Sequence, residues 1–396
     1  MALALLAALA AWRRRPPAAQ RGPHPHAEVD AMQTGAEALA DTAAKARAAA
    51  FVIVLLAGLL ALAALGTWRF ALVGQGDDVS EVLALTSLPT PTVAAPSPTA
   101  IPTSPPEWRL LAGGDVLMDL SEAAGFDPFA GIVPALATAE LAAVNVEMVI
   151  ATGGTPAVKS FVFLAPPSAA RTMAAAGVDV GNLGNNHALD FGKGALLDTI
   201  TNLRAAGVAP VGGGANAGEA YAPASFEIAG VRVAVIGVSR VLPQVSWAAG
   251  EGAGIASAFA EERLLEEVRS AKASHDVVIV MIHWGFAGAP CPNSDQVRLG
   301  DALLEAGAAV VLGTHPHVLQ PIVLGDGGLI AYSLGNFVWA PRSGPAGETG
   351  VLEVQFEGSR LSGYRFYPHV LDPQGAPVPA GPEAAARIET SVNRAC

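Results

Sequence analysis

The sequence is poor in basic residues and has no internal repeat. Its 396 residues include 23 Lys and Arg against 35 Asp and Glu, which gives a formal net charge of −12. Because binding to nucleic acid needs a basic surface that neutralises phosphates, this balance excludes nucleic acid as a partner. The length fits one large domain with appendages.

One segment of the chain lacks charge altogether. Residues 48–68 contain no Asp, Glu, Lys or Arg, and the stretch from Phe51 to Leu60 is strongly apolar. At about 1.5 Å per residue, a helix of roughly 20 residues crosses the hydrocarbon layer of a membrane. A buried helix of a soluble protein would show a polar face. The sequence therefore predicts a transmembrane helix over residues 48–70, preferred over a cleaved signal peptide because the apolar region starts far from Met1.

Positive charges lie on the N-terminal side of this segment. Lys45 and Arg47 precede it, three arginines stand further upstream at 13–15, and a single Arg69 follows it. The positive-inside rule then predicts that residues 1–47 are cytoplasmic and that the chain after Trp68 is extracytoplasmic. We also expect residues 1–47 to be disordered. The expected location is the cell membrane, with a single span. Whether the chain starts at Met1 or Met32 stays open.

Two further segments have the composition of appendages. Residues 71–107 are rich in Pro, Thr and Ser, as in Leu88-Pro89-Thr90-Pro91-Thr92, and such a composition forms an extended tether that cannot bury a core. Residues 372–396 are rich in Pro and Ala, and we expect this tail to wrap around the surface. The folded domain is thus predicted over residues 108–371.

The chain has only two cysteines, Cys291 and Cys396. Both lie in the part predicted to be extracytoplasmic, where thiols oxidise to disulfides. An intramolecular bridge is favoured because it would attach the tail to the domain. Two unrelated thiols, or a Cys396 that forms a dimer, remain alternatives.

Apolar runs of strand length alternate with helical segments from Trp108 onward, which predicts an α/β domain. Two late runs, Val351 to Phe356 and Tyr364 to Val370, have no helix between them and predict antiparallel strands. The earlier strands are expected at 110–117, 142–150, 231–238, 277–283, 308–312 and 329–334, and helices at 167–176, 194–206, 261–272 and 294–306.

A polar cluster stands at or near the end of almost every apolar run. Strands that lie side by side bring their ends together, so these clusters should converge at one edge of the sheet. Carboxylates, imidazoles and amides in one place form a plausible site for two divalent cations. The clusters are Gly114-Asp115, Asn145-Val146-Glu147, Asn185-Asn186-His187, His283-Trp284-Gly285, Thr314-His315-Pro316-His317 and Ser333-Leu334-Gly335-Asn336.

These six motifs, in this order, resemble the CapA family of poly-γ-glutamate capsule synthesis proteins, a branch of the calcineurin-like metallophosphoesterases. The run Asn185-Asn186-His187-Ala188-Leu189-Asp190-Phe191-Gly192 is part of the likeness, which covers residues 108–371. The resemblance implies a two-sheet sandwich flanked by helices, an αββα fold, with a two-metal centre at the strand ends.

The same resemblance implies a role for each site residue. Asp115 and His317 would hold one metal, Asn186, His283 and His315 the other, and Glu147 would stand at the bridging position. His187 would be the acid that protonates a leaving oxygen, or a group that stabilises developing negative charge. The spacing of the two residues also indicates that Asp190 could orient His187. Asn145, Asn185, Ser333 and Asn336 are expected to line the pocket. The metals could be Mn, Fe, Zn or Mg.

Two positions depart from the pattern of the superfamily and of many CapA relatives. Leu117 stands where the superfamily usually has a His, and Ala287 stands where many relatives have a Glu. Neither side chain can bind a metal. The sequence therefore predicts the fold more firmly than it predicts catalysis.

Two functions follow from these observations. The first is a membrane-tethered, metal-dependent hydrolase that acts on a phosphoester or on an anionic surface polymer. The second is a non-catalytic accessory subunit that binds such a polymer for a membrane-bound capsule synthase. Arg342 and Lys159 are candidates for contacts with a polyanion, although a solvated surface charge is the favoured interpretation of each.

Overall fold

The computed structural model describes residues 105–118, 127–132, 136–241, 246–248 and 250–396. The predicted cytoplasmic segment, the transmembrane helix and nearly all of the tether lie outside these residues. No helix within the described ranges is long and apolar enough to cross a membrane.

One half of the domain is a mixed eight-stranded sheet, in the order β18-β17-β16-β1-β2-β5-β6, with β15 paired to β1. The strands β1, β2, β5 and β6 run parallel, while β16, β17 and β18 form an antiparallel extension. The predicted late antiparallel pair is therefore confirmed. The bounds are β1 Glu107–Val116, β2 Leu141–Val146, β5 Val180–Asn182, β6 Ala209–Val211, β15 Asn336–Val338, β16 Glu348–Glu357, β17 Arg360–Leu371 and β18 Pro377–Pro379.

The other half is a six-stranded sheet in the order β13-β14-β12-β11-β9-β8. Its four central strands run parallel, and one antiparallel strand closes each side. The central strand β11 is buried along its whole length, as its unbroken apolar sequence requires. The bounds are β8 Ala224–Ile228, β9 Val231–Ser239, β11 Val277–His283, β12 Val310–Thr314, β13 Ile322–Gly325 and β14 Gly328–Ala331.

Two short strand pairs and six α-helices complete the described part of the chain. The pairs are β3 (Val149–Ile150) with β4 (Leu164–Ala165) and β7 (Gly213–Gly214) with β10 (Gly254–Ile255). The helices are α1 Ser168–Ala175, α2 Gly192–Ala206, α3 Ala217–Tyr221, α4 Glu261–Ser274, α5 Ser294–Glu305 and α6 Pro382–Val392, and a 3₁₀ turn spans Gly344–Gly347.

The hydrophobic core has three layers, which define an αββα sandwich. Residues from both sheets, such as Leu110, Val354 and Ile279, form one buried cluster between the sheets. A second cluster packs helices α1 and α2 on the outer face of the eight-stranded sheet, and a third packs α3, α4 and α5 on the outer face of the six-stranded sheet. The predicted two-sheet architecture with flanking helices is what the structure shows.

The structure differs from the sequence-based expectation in two elements. The run 142–150 is divided, because β2 ends at Val146 and residues Val149–Ile150 pair with a different strand, Leu164–Ala165. The tail after Asp372 was expected to wrap around the surface, but it adds strand β18 and helix α6, whose Ile388 and Val392 are buried between the sheets. The tail is rich in Pro and Ala, so its composition did not indicate that Ile388 and Val392 would be buried.

Candidate metal centre

The six polar clusters converge at one end of the sandwich, where strands of both sheets finish. Asp115, Asn145 and Asn336 belong to the eight-stranded sheet, whereas His283 and Thr314 end two strands of the six-stranded sheet. The prediction placed all clusters at one edge of one sheet. The centre instead lies across the gap between two sheets, so each sheet contributes part of it.

Strand β1 pairs irregularly with its neighbours close to Asp115, its contribution to the centre. Its register against β2 shifts between Ala112 and Asp115, and Asp115 then pairs with Asn145 on one side and Asn336 on the other. A Cβ on Gly114 would lie 1.9 Å from Gly335 O, so only glycine permits this approach. Irregular strand pairing of this kind re-aims a side chain next to a functional site. Asp115 is consequently held between two strand ends, fully buried.

The loop after β12 is strained at two of the predicted ligands. His315 has φ 95° and His317 has φ 57°, a region that side chains with a Cβ rarely adopt. Asn336 supports this conformation, because its Nδ2 donates to His317 O and its Oδ1 lies 3.0 Å from His317 Nδ1. Strain of this kind persists where the surrounding structure enforces it, and it clusters at active sites.

Glu147 lies at the centre of the cluster. Its Oε1 is 3.5 Å from His283 Nε2, 3.6 Å from His317 Nε2 and 3.9 Å from His187 Nε2. The donor atoms form two groups that share this residue, each within 4.8 Å: one is Glu147, His283 and His315, and the other is Asp115, Glu147 and His317. Asn186 Oδ1 extends the first group, at 2.7 Å from His283 Nε2.

The donor set fits a pair of divalent cations. Glu147 Oε1 is a buried carboxylate oxygen without a hydrogen-bond partner, although three imidazole nitrogens surround it. A buried anionic oxygen left in this state is costly unless a cation neutralises it. Carboxylate, imidazole and amide donors suit Mn, Fe, Zn or Mg. The metal-binding roles assigned from the sequence remain predictions, but the structure brings all six predicted ligands together.

Burial and mutual charge set the ionisation of the cluster. Burial, then the neighbouring Asp115 charge, raises the pKa of Glu147 well above its ordinary value. Burial also raises the pKa of Asp115, but the hydrogen bond and charge of His317 outweigh it, so the pKa of Asp115 is lowered. Ionisation is thus favoured for Asp115 and disfavoured for Glu147, and a bound cation would favour the ionised form of Glu147.

The imidazoles of the cluster also have pKa values that are shifted in opposite directions. Burial, then the charge of His315, lowers the pKa of His283 well below 6.5, and burial, then His317, lowers the pKa of His315 to about 4. Both rings are therefore neutral near neutral pH, which is the form that binds metal. Burial acts against a charged His317, but its hydrogen bond to Asp115 raises its pKa overall.

His187 lies between Asp190 and the cluster. Its Nδ1 lies 2.8 Å from the buried Asp190 Oδ2, which leaves Nε2 facing Glu147 and the cluster. Burial lowers the pKa of His187, although the hydrogen bond to Asp190 opposes this shift. The predicted pairing of His187 with Asp190 is present in the structure.

Lys159, one of the two candidates for polymer contacts, has an internal partner instead. Its Nζ forms an ion pair with Asp190 Oδ1 and donates to Asn186 O at 2.8 Å. Arg342, the other candidate, is exposed. Lys159 therefore ties the 151–163 segment to the His187 loop, which its isolated position in the sequence did not indicate.

The residues expected to line the pocket separate into two groups. Asn336 lines a pocket beside the cluster. Asn145, Asn185 and Ser333 are fully buried behind it, where Asn145 Nδ2 donates to Asp115 Oδ1, Asn185 Nδ2 to Val146 O and Ser333 Oγ to Val318 O. These three side chains hold the ligand-bearing backbone in place. Thr314, which the sequence analysis placed in a polar cluster without giving it a role, has its Oγ1 3.0 Å from His283 Nδ1 and orients that ring.

Cys291 and Cys396, the pair put forward from the sequence, are joined by a disulfide bond. Cys291 lies in the loop that follows His283 and Trp284. The same loop is held by Gln320, whose Nε2 donates to Ala289 O and Cys291 O. The bond thus connects the chain terminus to a loop beside the metal centre.

Comparison with known proteins identifies the family. The profile described as "Bacterial capsule synthesis protein PGA_cap" matches residues 109–340, more than half of the chain. The chain belongs to this family. The match spans the region that carries all six motifs, and it confirms the resemblance to CapA proteins drawn from the sequence.

Individual relatives agree with this assignment. A PGA biosynthesis protein CapA of Bacillus subtilis is 35% identical over 159 residues, which are 40% of this chain and 42% of that protein. A "Probable polyglutamine synthesis accessory protein" of Mycobacterium tuberculosis is 31% identical over 167 residues, 39% of this chain and 44% of that protein. The match therefore spans less than half the length of these relatives.

Among solved structures, the NAD nucleotidase NadN of Haemophilus influenzae superimposes with a TM-score of 0.44 at 14% identity. The superposition covers 72% of this chain and 62% of the nucleotidase.

Proposed function

We propose that this PGA_cap protein is a metal-dependent hydrolase of the calcineurin-like type that acts in the synthesis or processing of a capsule or surface polymer of the poly-γ-glutamate kind. The observation that carries the proposal is the position of Glu147 Oε1, unpartnered and shared by two groups of potential ligands. Family membership supports the link to capsule synthesis. The fold by itself would not, because one fold hosts many functions.

Asp115, Glu147 and His317 would hold one metal, and Glu147, His283 and His315, with Asn186, the other. Bound there, the ions would supply positive charge that polarises the scissile group and stabilises negative charge as it develops. His187 Nε2 carries the proton for the leaving group, and Asp190 keeps the ring oriented through Nδ1. Lys159 fixes Asp190 in turn.

A hydrolysis screen tests this proposal. The purified protein, loaded with manganese, is assayed on a panel of phosphoesters and on γ-glutamyl polymers. We expect metal-dependent turnover, with the activity of His187→Ala reduced about 10²–10⁴-fold, which is the usual contribution of a general acid. His275→Ala, a histidine remote from the centre, serves as the control. Bound metal without turnover of any substrate would contradict the proposal.

A second candidate function is supported by Leu117 and Ala287. Because these side chains cannot bind metal, the centre has fewer ligands than the wider superfamily pattern, and the protein could instead be an accessory subunit that binds an anionic polymer for a membrane-bound synthase. In that case His187→Ala leaves polymer export intact in cells. A null export phenotype with normal protein levels would reject this second function.

The proposed location is the cell membrane, with the domain outside. The uncharged segment 48–68, its upstream basic residues and the Pro-rich tether support this topology. An acidic domain needs local help to bind a polyanion, and the bound metals together with the exposed Arg342 would provide it.

A further inference from the structure

A pocket of about 410 Å³ opens directly beside the candidate metal centre. His187, His317 and Asn336 form its wall on the side of the cluster. Pockets of this size bind small molecules or single groups of larger ones. A group bound here would adjoin the position where the reacting bond must lie.

The other residues that line this pocket are aromatic or aliphatic, with the exception of Arg342. The Phe163 ring lies 4.4 Å from the His187 ring and 5.9 Å, edge-on, from Trp339, measured between ring centroids. Trp339 in turn lies 4.8 Å from His317. These contacts form a continuous aromatic surface that joins the proton carrier to a predicted metal ligand.

Both positions that depart from the superfamily pattern lie in the same pocket. Leu117 and Ala287 line it, where a His and a Glu would otherwise add polar groups. Phe161, which also lines the pocket, is 69% exposed. Its ring adds apolar surface that a bound group could cover.

Phe163, which forms part of the apolar wall, is held in place by Asp190, the partner of His187. The backbone N–H of Phe163 donates to Asp190 Oδ2 at 2.8 Å, the same oxygen that contacts His187 Nδ1. The apolar wall and the proton carrier are therefore positioned by one carboxylate. Because Asp190 contacts both residues, it fixes the position of Phe163 relative to His187.

We propose that this pocket binds the apolar part of the substrate, so that the group next to the scissile bond is flat or aliphatic and is not a sugar or another polyol. A polyol would lose its hydrogen bonds to water here and find few replacements, since seven of the eleven described lining residues are apolar. The four polar side chains are His187, His317, Asn336 and Arg342, and the two histidines belong to the metal centre. The inference rests on the proposed function, which places the reacting group at the metals.

The test measures the binding of two phosphonates to the full chain loaded with manganese, by isothermal titration calorimetry. Phenylphosphonate carries a flat apolar group, whereas methylphosphonate presents the same anion with almost none. We expect phenylphosphonate to bind at least about tenfold more tightly, because the ring is removed from water. Equal affinities, or no binding of either compound, would overturn the proposal.

A variant whose larger side chain fills the pocket tests whether the phenyl ring binds there. Ala287 is exposed, so Ala287→Trp should fold and should reduce the ratio of the two affinities to within about twofold. Ala273→Trp, at an exposed position of helix α4, is the matched control and should keep the ratio. A tenfold ratio that survives in Ala287→Trp would show that the ring binds elsewhere, and the proposal would be wrong.

Phosphonates are not hydrolysed, so this measurement is independent of catalysis. A preserved preference without any turnover in the hydrolysis screen rejects the proposed function and leaves the pocket assignment standing. Turnover without the preference for phenylphosphonate rejects the pocket assignment alone.

Discussion

Glu147 is the residue on which the geometry of the centre depends. It is fully buried, and its Oε1 faces three imidazole nitrogens. Glu147 directly follows the last residue of β2, and its N–H donates to Val116 O at the end of β1. The ends of these two parallel strands therefore hold the backbone of Glu147 at the centre.

We expect His283→Ala and His315→Ala each to lower the amount of bound metal. Both rings lie in one donor group with Glu147, and a lost ligand of this kind is not easily replaced. Metal analysis of the purified variants by inductively coupled plasma mass spectrometry measures the effect.

His275→Ala is the control for these variants. His275 is the C-cap of helix α4, and its Nε2 lies 2.9 Å from Ser225 Oγ. It should retain full metal content. An equal loss in all three variants would indicate unfolding, which circular dichroism would reveal.

Metal affinity should fall as the pH decreases. A protonated imidazole cannot bind a cation, and Asp115, acting against burial, raises the pKa of His317 above 6.5. His317 therefore gains its proton first as the pH falls, whereas His315, with a pKa of about 4, stays neutral. Calorimetric titration with manganese should show tighter binding at about pH 8 than at about pH 6. Equal affinity at the two values would contradict this reasoning.

At the scale of elements, helix α6 contributes to the core although its sequence is mostly small or polar. Ile388 is fully buried between the sheets. Ile388→Ala should lower the free energy of unfolding by about 2–5 kcal/mol, the usual cost of such a cavity. Urea denaturation measures the change, and Glu389→Ala on the exposed face should stay within about 0.5 kcal/mol. A helix that only covered the surface would show no difference between the two variants.

The bond between Cys291 and Cys396 closes a loop with a sequence separation of 105. Cys396→Ser should lower the free energy of unfolding by about 2–5 kcal/mol, because the unfolded chain regains the freedom that the crosslink removes. Reductant should destabilise the parent protein and leave the variant unchanged. Mass spectrometry of unreduced peptides gives a direct check, and two free thiols after oxidative purification would disprove the bond.

At the scale of the whole molecule, the open prediction is topology. If residues 48–70 span the membrane uncleaved, protease added to intact cells should cut the Pro- and Thr-rich tether and release a soluble domain. Immunoblotting of the medium and of the cell fraction measures this release. Recovery of the domain from the cytosol alone would contradict the assignment.

Much of the fold was predictable because its central elements have strong local patterns. The apolar run from Val277 to His283 coincides with β11, and the Ser294–Glu305 helix begins at the capping box of Asn293 and Gln296. Prediction failed where the local signal was weak. The run after Ala142 is divided between two strands that pair with different partners, and α6 is held by two apolar side chains within an otherwise small and polar helix.

The sequence by itself determined which residues could meet at the centre. Polar clusters that follow buried strands form a local pattern, and such a pattern can be recognised from the sequence alone. Only the tertiary structure decided how those clusters are shared between two sheets, that Lys159 serves Asp190, and that Leu117 and Ala287 line one pocket with Trp339. Strand periodicity specifies which residues stand at a strand end. The packing of one sheet on the other specifies which strand ends meet, and that information lies in contacts between residues far apart in the chain.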